Sequence, residues 1–142
     1  MNNLKILIIA AMLLAVTMGC SGTMDGIIRS DANRIEIMYT DSRVSVAELI
    51  AVFPNGGQFR GKSERFDRTR EILETDNKKT DDVAAHFEAL QTFPGNAKAT
   101  LSGNQGGKMA CRFKLTDVII GFSSGGFGLC QMSDGRVIDV FF

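Results

Sequence analysis

The feature that most constrains this chain is a two-residue alternation near its C-terminus. Met109, Cys111, Phe113 and Leu115 interleave with Lys108, Ala110, Arg112 and Lys114, so an extended backbone gathers the first four on one face and leaves the other face largely cationic. This predicts a strand with Cys111 turned to a core. Phe127 to Ser133 and Arg136 to Phe142 flank Asp134-Gly135, a dipeptide that accepts the positive φ angles of a tight hairpin. The chain is therefore expected to end as an antiparallel hairpin. If 108–115 lies beside 127–133, Cys111 and Cys130 can bond across about 5.5 to 6 Å between Cα atoms.

Similar signals recur upstream. Arg34 to Tyr39 alternates, with Ile35, Ile37 and Tyr39 on one side, and reads as a half-buried strand. Ala47 to Phe53 is an apolar run broken only by Glu48 and ended by Pro54-Asn55-Gly56-Gly57, a strand entering a turn. Gln58 to Phe66 would be the return strand, weakened by Gly61. From Thr80 the period changes: Asp81 can cap a helix carrying Val83, Phe87 and Leu90 at i, i+4 and i+7. Asp81 and Asp82 suit its positive end, and it should stop before Phe93-Pro94-Gly95. Residues 67–79 mix both charges and are left unassigned. Residues 21–33 lack periodicity and read as a tether.

The chain has 142 residues, 44% of them hydrophobic, and only two prolines. That is material for one small folded domain. The fold class expected is mainly β (α+β), a small antiparallel sheet or barrel-like domain over 34–142 with one short helix. Sixteen basic residues balance sixteen acidic ones, so nothing collects enough charge to follow a nucleic acid backbone.

Residues 1–19 form a leader. Lys5 precedes a 13-residue uncharged run, Ile6 to Met18, followed by Gly19-Cys20-Ser21. A spanning helix needs roughly 20 apolar residues, so this length suits the core of a signal peptide. The junction Val16-Thr17-Met18-Gly19-Cys20 resembles the lipobox of bacterial lipoprotein precursors. The resemblance implies that Cys20 becomes the first mature residue, is lipidated on sulfur and acylated on its amine, and anchors the chain. Ser21 resembles the sorting pattern of outer-membrane lipoproteins, which implies the periplasmic side of that membrane. Thr17 and Met18 depart from the family's aliphatic and small preferences, and plain secretion with cleavage near Gly19 is the alternative. Two or three acyl chains would hold firmly, each buried methylene contributing about 0.8 kcal/mol.

With Cys20 set aside, Cys111 and Cys130 form an even pair, the expected disulfide of an extracytoplasmic domain. It would close a loop of about 20 residues and stabilise by roughly 3 kcal/mol. Two cysteines and one histidine make no zinc set, and no metal or other cofactor is expected.

One motif matches by spacing and fails on context. Gly56 to Ser63 satisfies the phosphate-loop pattern GxxxxGK[ST], but such a loop needs a parallel β/α sheet and a helix opening at Lys62-Ser63. Hairpin-joined strands supply neither, and ATP is not the expected ligand. The same turn region loosely echoes Met132 to Ile138, faintly like membrane-occupation repeats, although shared hairpin chemistry explains the echo. His86 lies at the edge of the expected helical face with no nucleophile beside it. Asp134 is a turn residue, Asp139 belongs to a polar strand face, and Lys108, Arg112 and Lys114 make a solvated basic face that could also meet anionic head groups or wall polymer. No catalytic residue is assigned.

The connection between the last strands, with Gly121, Phe122, Ser123, Ser124, Gly125, Gly126 and Phe127, looks exposed and is the candidate partner loop. The functional expectation is a lipid-anchored envelope lipoprotein whose small β domain binds an envelope protein or cell-wall component. A small periplasmic inhibitor of a hydrolase is the alternative, and an envelope enzyme ranks third.

Overall fold

The computed structural model describes residues 20–41, 46–65 and 87–142. They form an eight-stranded closed barrel in which every neighbouring pair is antiparallel. In chain order the strands are β1 (Cys20–Ile28), β2 (Arg34–Asp41), β3 (Val46–Val52), β4 (Gln58–Arg65), β5 (Ala97–Gly103), β6 (Lys108–Leu115), β7 (Gly126–Met132) and β8 (Val137–Phe141). Each strand pairs with the next, and β1 closes the ring by pairing Asp25 to Ile28 with β8. One short helix, α1 (Glu88–Gln91), and a 3-10 turn (Phe122–Ser124) complete the described residues.

The alternation explains the architecture. Ile35 and Ile37 of β2, Leu49 and Ala51 of β3, Met109, Cys111 and Phe113 of β6, and Ile138 and Val140 of β8 all point inward into one buried cluster. Eight strands enclose a space that side chains can fill. Glu48, Arg60, Lys62, Glu64 and Lys98 are on the outer face, where Glu48 meets Arg60 at 3.9 Å and Glu64 meets Lys98 at 3.7 Å. An apolar inside with a charged outside inverts the pattern of a barrel that spans a bilayer.

Cys111 and Cys130 face each other in the β6–β7 ladder and are bonded. Their Cα atoms are 4.0 Å apart, closer than the expected span because the register opposes them directly. Gly128 makes this packing possible: a Cβ there would drive into the Phe113 ring.

One sequence expectation is overturned, one weakened strand holds, and one strand was not foreseen. Residues 21–33 are not a tether, because Cys20–Ile28 is β1 and pairs from Cys20 to Ile27 with β2. The segment hid because its inward positions include small Gly22 and Gly26; a Cβ on Gly22 would meet the Tyr39 ring, and one on Gly26 would meet Ile35. Gly61 does not interrupt β4, which runs through it in register with Leu49 and Leu101. And β5 has no counterpart among the expectations. Its inward residues Ala97 and Ala99 are small, so its alternation with Lys98 and Thr100 is muted.

The expected helix is described only from Phe87 onward; Asp81, Asp82, Val83 and His86 lie outside the described residues, as do Phe66 and 67–79. What is described ends at Gln91, before Phe93-Pro94-Gly95. Phe87 and Leu90 are buried against Leu129, with Ala110 and Val137 packed alongside. The helix thus covers the outside of β6, β7 and β8, and Gln131 holds it by accepting the Ala89 amide at 3.1 Å.

Candidate functional site

The barrel has two unlike ends. At one, β1–β2, β3–β4, β5–β6 and β7–β8 are joined by short turns at 29–33, 53–57, 104–107 and 133–136. The other carries Cys20, the strand ends Asp41, Val46, Arg65 and Ala97, the loop 116–125 and Phe142. The second end is the candidate site because it gathers Cys20, which follows the uncharged run Ile6 to Met18, and the candidate partner loop.

That loop is built around two carboxylates. Asp41 continues the inward row of β2 after Ile35, Ile37 and Tyr39, which places its carboxylate over the barrel mouth. Oδ1 accepts the Phe122 amide at 3.2 Å and Oδ2 the Ser123 amide at 3.1 Å. Asp117 folds the loop's first half, its Oδ1 accepting the amides of Ile119 at 2.7 Å and Ile120 at 3.1 Å, an Asx turn extended by one residue. The Ser124 hydroxyl donates to the Gly121 carbonyl at 2.7 Å and accepts the Asp117 amide at 3.0 Å. Gly121 sits at φ +89° with Asp41 close to where a Cβ would stand, so a side chain there would strain the backbone and crowd the brace.

The expected exposure of this stretch needs correction. Phe122 is 2% exposed and closes the barrel mouth, ringed by Phe113 at 5.0 Å, Phe142 at 5.3 Å and Tyr39 at 5.6 Å between centroids. Such aromatic clusters stabilise beyond the area they bury. Gly121, Ser124, Gly125 and Gly126 are half-buried, which leaves Ser123 and Phe127 exposed. Phe127 lies opposite Phe141 on the outer wall and meets the Phe93 ring edge-on at 5.7 Å. The loop's outward residues are instead Ile119, 82% exposed, and Ile120, 57% exposed. Sequence reasoning missed Asp41, Asp117, Ile119 and Ile120. The signal was an aspartate at the end of an inward-facing row and another two residues before a pair of isoleucines.

Cys20 joins this assembly directly. It is exposed, unbonded and paired across the ladder with Asp41. The β1–β2 pair reaches beyond β8, which covers β1 only from Asp25 onward. The Phe122 turn packs against β1 and β2. Burial, together with the charge of Asp41 and the neighbouring Cys20, raises the Tyr39 hydroxyl above its ordinary value.

The remaining sequence candidates are dispersed. Lys62 is on the outer wall of β4 and Ser63 faces inward, donating to and accepting from the Ala47 backbone. The phosphate-loop residues are thus a turn followed by a strand. Asp134 caps its own turn by accepting the Arg136 amide at 3.0 Å and pairs with that guanidinium. Asp139 receives two Arg29 hydrogen bonds, both 2.8 Å, across the β1–β8 seam. The hydrogen bond from Arg29 holds the Asp139 carboxyl below the usual carboxylate range, and that from Arg136 does the same for Asp134. Lys108 and Lys114 stand at opposite ends of β6 with Arg112 between them. Among the described residues no group of three or more His, Cys, Asp or Glu could hold a metal ion.

The arrangement defines a small, side-chain-filled antiparallel barrel with one reinforced rim. No family model, curated protein or solved structure matches the chain. Nothing in them points to an enzyme or against one, so the functional reading rests on the chain's own residues.

Proposed function

We propose that this chain is an exported, lipid-anchored lipoprotein of a bacterial envelope, acylated on Cys20 at the periplasmic side of the outer membrane. Its barrel acts as a binding or accessory module for another envelope component. One observation carries the reading: the 13-residue uncharged run ends beside the only free cysteine among the described residues, exposed at the first residue of β1. The Cys111–Cys130 bond is compatible with an oxidising compartment. The hydrolase-inhibitor alternative relied on Gly121 to Phe127 as an insertion loop, and it weakens because the Phe122 ring is committed to the barrel mouth.

The test is fractionation of cells expressing the full chain and its Cys20→Ser variant. The parent should be recovered with membranes and extracted by detergent, while the variant should lose that acylation and change fraction or accumulate as precursor. A Cys20→Ser variant with the parent's mass modification and distribution would contradict the reading.

A further inference from the structure

Lipoprotein anchoring of a domain through a flexible tether would leave its orientation free. Here the tether is missing: Cys20 is already hydrogen-bonded strand, paired with Asp41. Asp41 in turn holds the amides of Phe122 and Ser123. An acyl chain on the Cys20 sulfur therefore leaves from a rigid rim, one residue pair from the braced loop. That loop projects two consecutive isoleucines, 82% and 57% exposed, whose backbone amides are fixed by Asp117. Single exposed aliphatic residues are ordinary. Two in succession, held without slack beside a lipidation point, are placed to enter the boundary between head groups and acyl chains, which lies about 5 to 10 Å deep for an interfacial element.

We infer that the Ile119-Ile120 tip is a membrane-contacting wedge that sets the barrel upright, its long-loop rim on the bilayer and its tight-turn rim directed away. The occupant is the lipid surface itself. Cys20, the residue that follows the apolar run in sequence, is the first residue of β1 and so belongs to this same rim. The inference rests on the anchored reading above. It assigns a contact to Ile119 and Ile120, the two large aliphatic side chains exposed in the described loop 116–125.

The chain has no tryptophan, so a single introduced indole is an unambiguous reporter. Full-chain protein carrying Ile119→Trp, purified from membranes, is placed in vesicles of phosphatidylethanolamine and phosphatidylglycerol containing brominated acyl chains. A second variant, Gln105→Trp, reports from the exposed opposite rim. The Ile119→Trp emission should shift to the blue and be quenched several-fold more than that of Gln105→Trp. Intact mass of each sample records acylation and separates the two ideas. Acylated protein with both indoles equally quenched, or with Gln105→Trp the more quenched, overturns the wedge and leaves the anchor standing. Unacylated protein with neither quenched overturns both. Unacylated protein in which only Ile119→Trp is quenched supports the wedge and removes the anchor. Matching far-ultraviolet circular dichroism and urea midpoints for parent and variants verify that both retain the fold.

Discussion

At the tight-turn end of the barrel each turn is shaped by neighbours in sequence and tied to the next by single bonds, such as the Gln58 amide to Asn104 and the Lys108 amide to Ser133. The long-loop end is closed by one loop held to residues far apart in sequence. At the first, Asn55 accepts the Gly57 amide and Asp134 accepts the Arg136 amide, each two residues away. At the second, Asp41 reaches residues 81 and 82 positions later, and Phe122 is enclosed by Tyr39, Phe113 and Phe142. Local turn chemistry closes a hairpin whatever the rest of the molecule does. A loop closed by tertiary contacts is a shaped surface that exists only when the barrel does. The second end is therefore where a specific contact can be built, and where damage should spread.

The largest expected effect follows from that contrast. Phe122→Ala should destabilise the fold by about 3 to 5 kcal/mol, the usual range for truncating a buried aromatic, read as a lower urea midpoint. A loss below about 1 kcal/mol would mean that the ring is not a keystone. Replacing both Cys111 and Cys130 with Ala should cost roughly 3 kcal/mol on the chain-entropy account. Because the bond crosses the β6–β7 ladder at an interior pair, amide exchange should accelerate toward both ends. Acceleration confined to one end would blur the distinction drawn between them. Asp41→Asn should cost about 1 to 2 kcal/mol by weakening two charge-assisted hydrogen bonds. Exchange of the Phe122 and Ser123 amides should rise while that of the 133–136 turn stays unchanged.

The smallest effect is the pH response of the seam and the tight-turn end. Asp139 and Asp134 have carboxyls held low in the folded state, first by hydrogen bonds from Arg29 and Arg136 respectively. Their contribution is thus full above the ordinary carboxylate value near 3.9 and is lost as pH falls through the depressed folded values. Both pairs are well exposed, so each should contribute less than about 1 kcal/mol after solvent screening. Asp139→Asn should flatten the acid limb of the stability profile slightly. An unchanged acid limb would show the Arg29 bridge to be energetically silent.

Legibility in the sequence followed the same division. The strands 34–39 and 108–115 were readable from their large alternating inward residues, 47–53 from its nearly continuous apolar run, and the terminal hairpin from Asp134-Gly135. The disulfide followed from the parity of Cys111 and Cys130. β1 was obscured by Gly22 and Gly26, whose role is to leave room for Tyr39 and Ile35, and β5 by Ala97 and Ala99. The sequence left an open sheet and a barrel-like domain as equal readings, since closure depends on pairing Asp25 with Phe141 across nearly the whole chain. At the candidate site the connection read as exposed turns its Phe122 ring inward instead. Whether Phe122 or Ile119 faces outward is decided by Asp41, and no local pattern links positions so distant.

Everything proposed for this molecule turns on Cys20 being both the first residue of the barrel and the place where fatty chains attach. Intact mass spectrometry of the protein extracted from the membrane fraction addresses this directly. The account predicts a chain beginning at Cys20, heavier than residues 20–142 by the mass of a diacylglyceryl group and an amide-linked acyl chain. A polypeptide running from Met1 to Phe142 with an unmodified thiol at position 20 would contradict it.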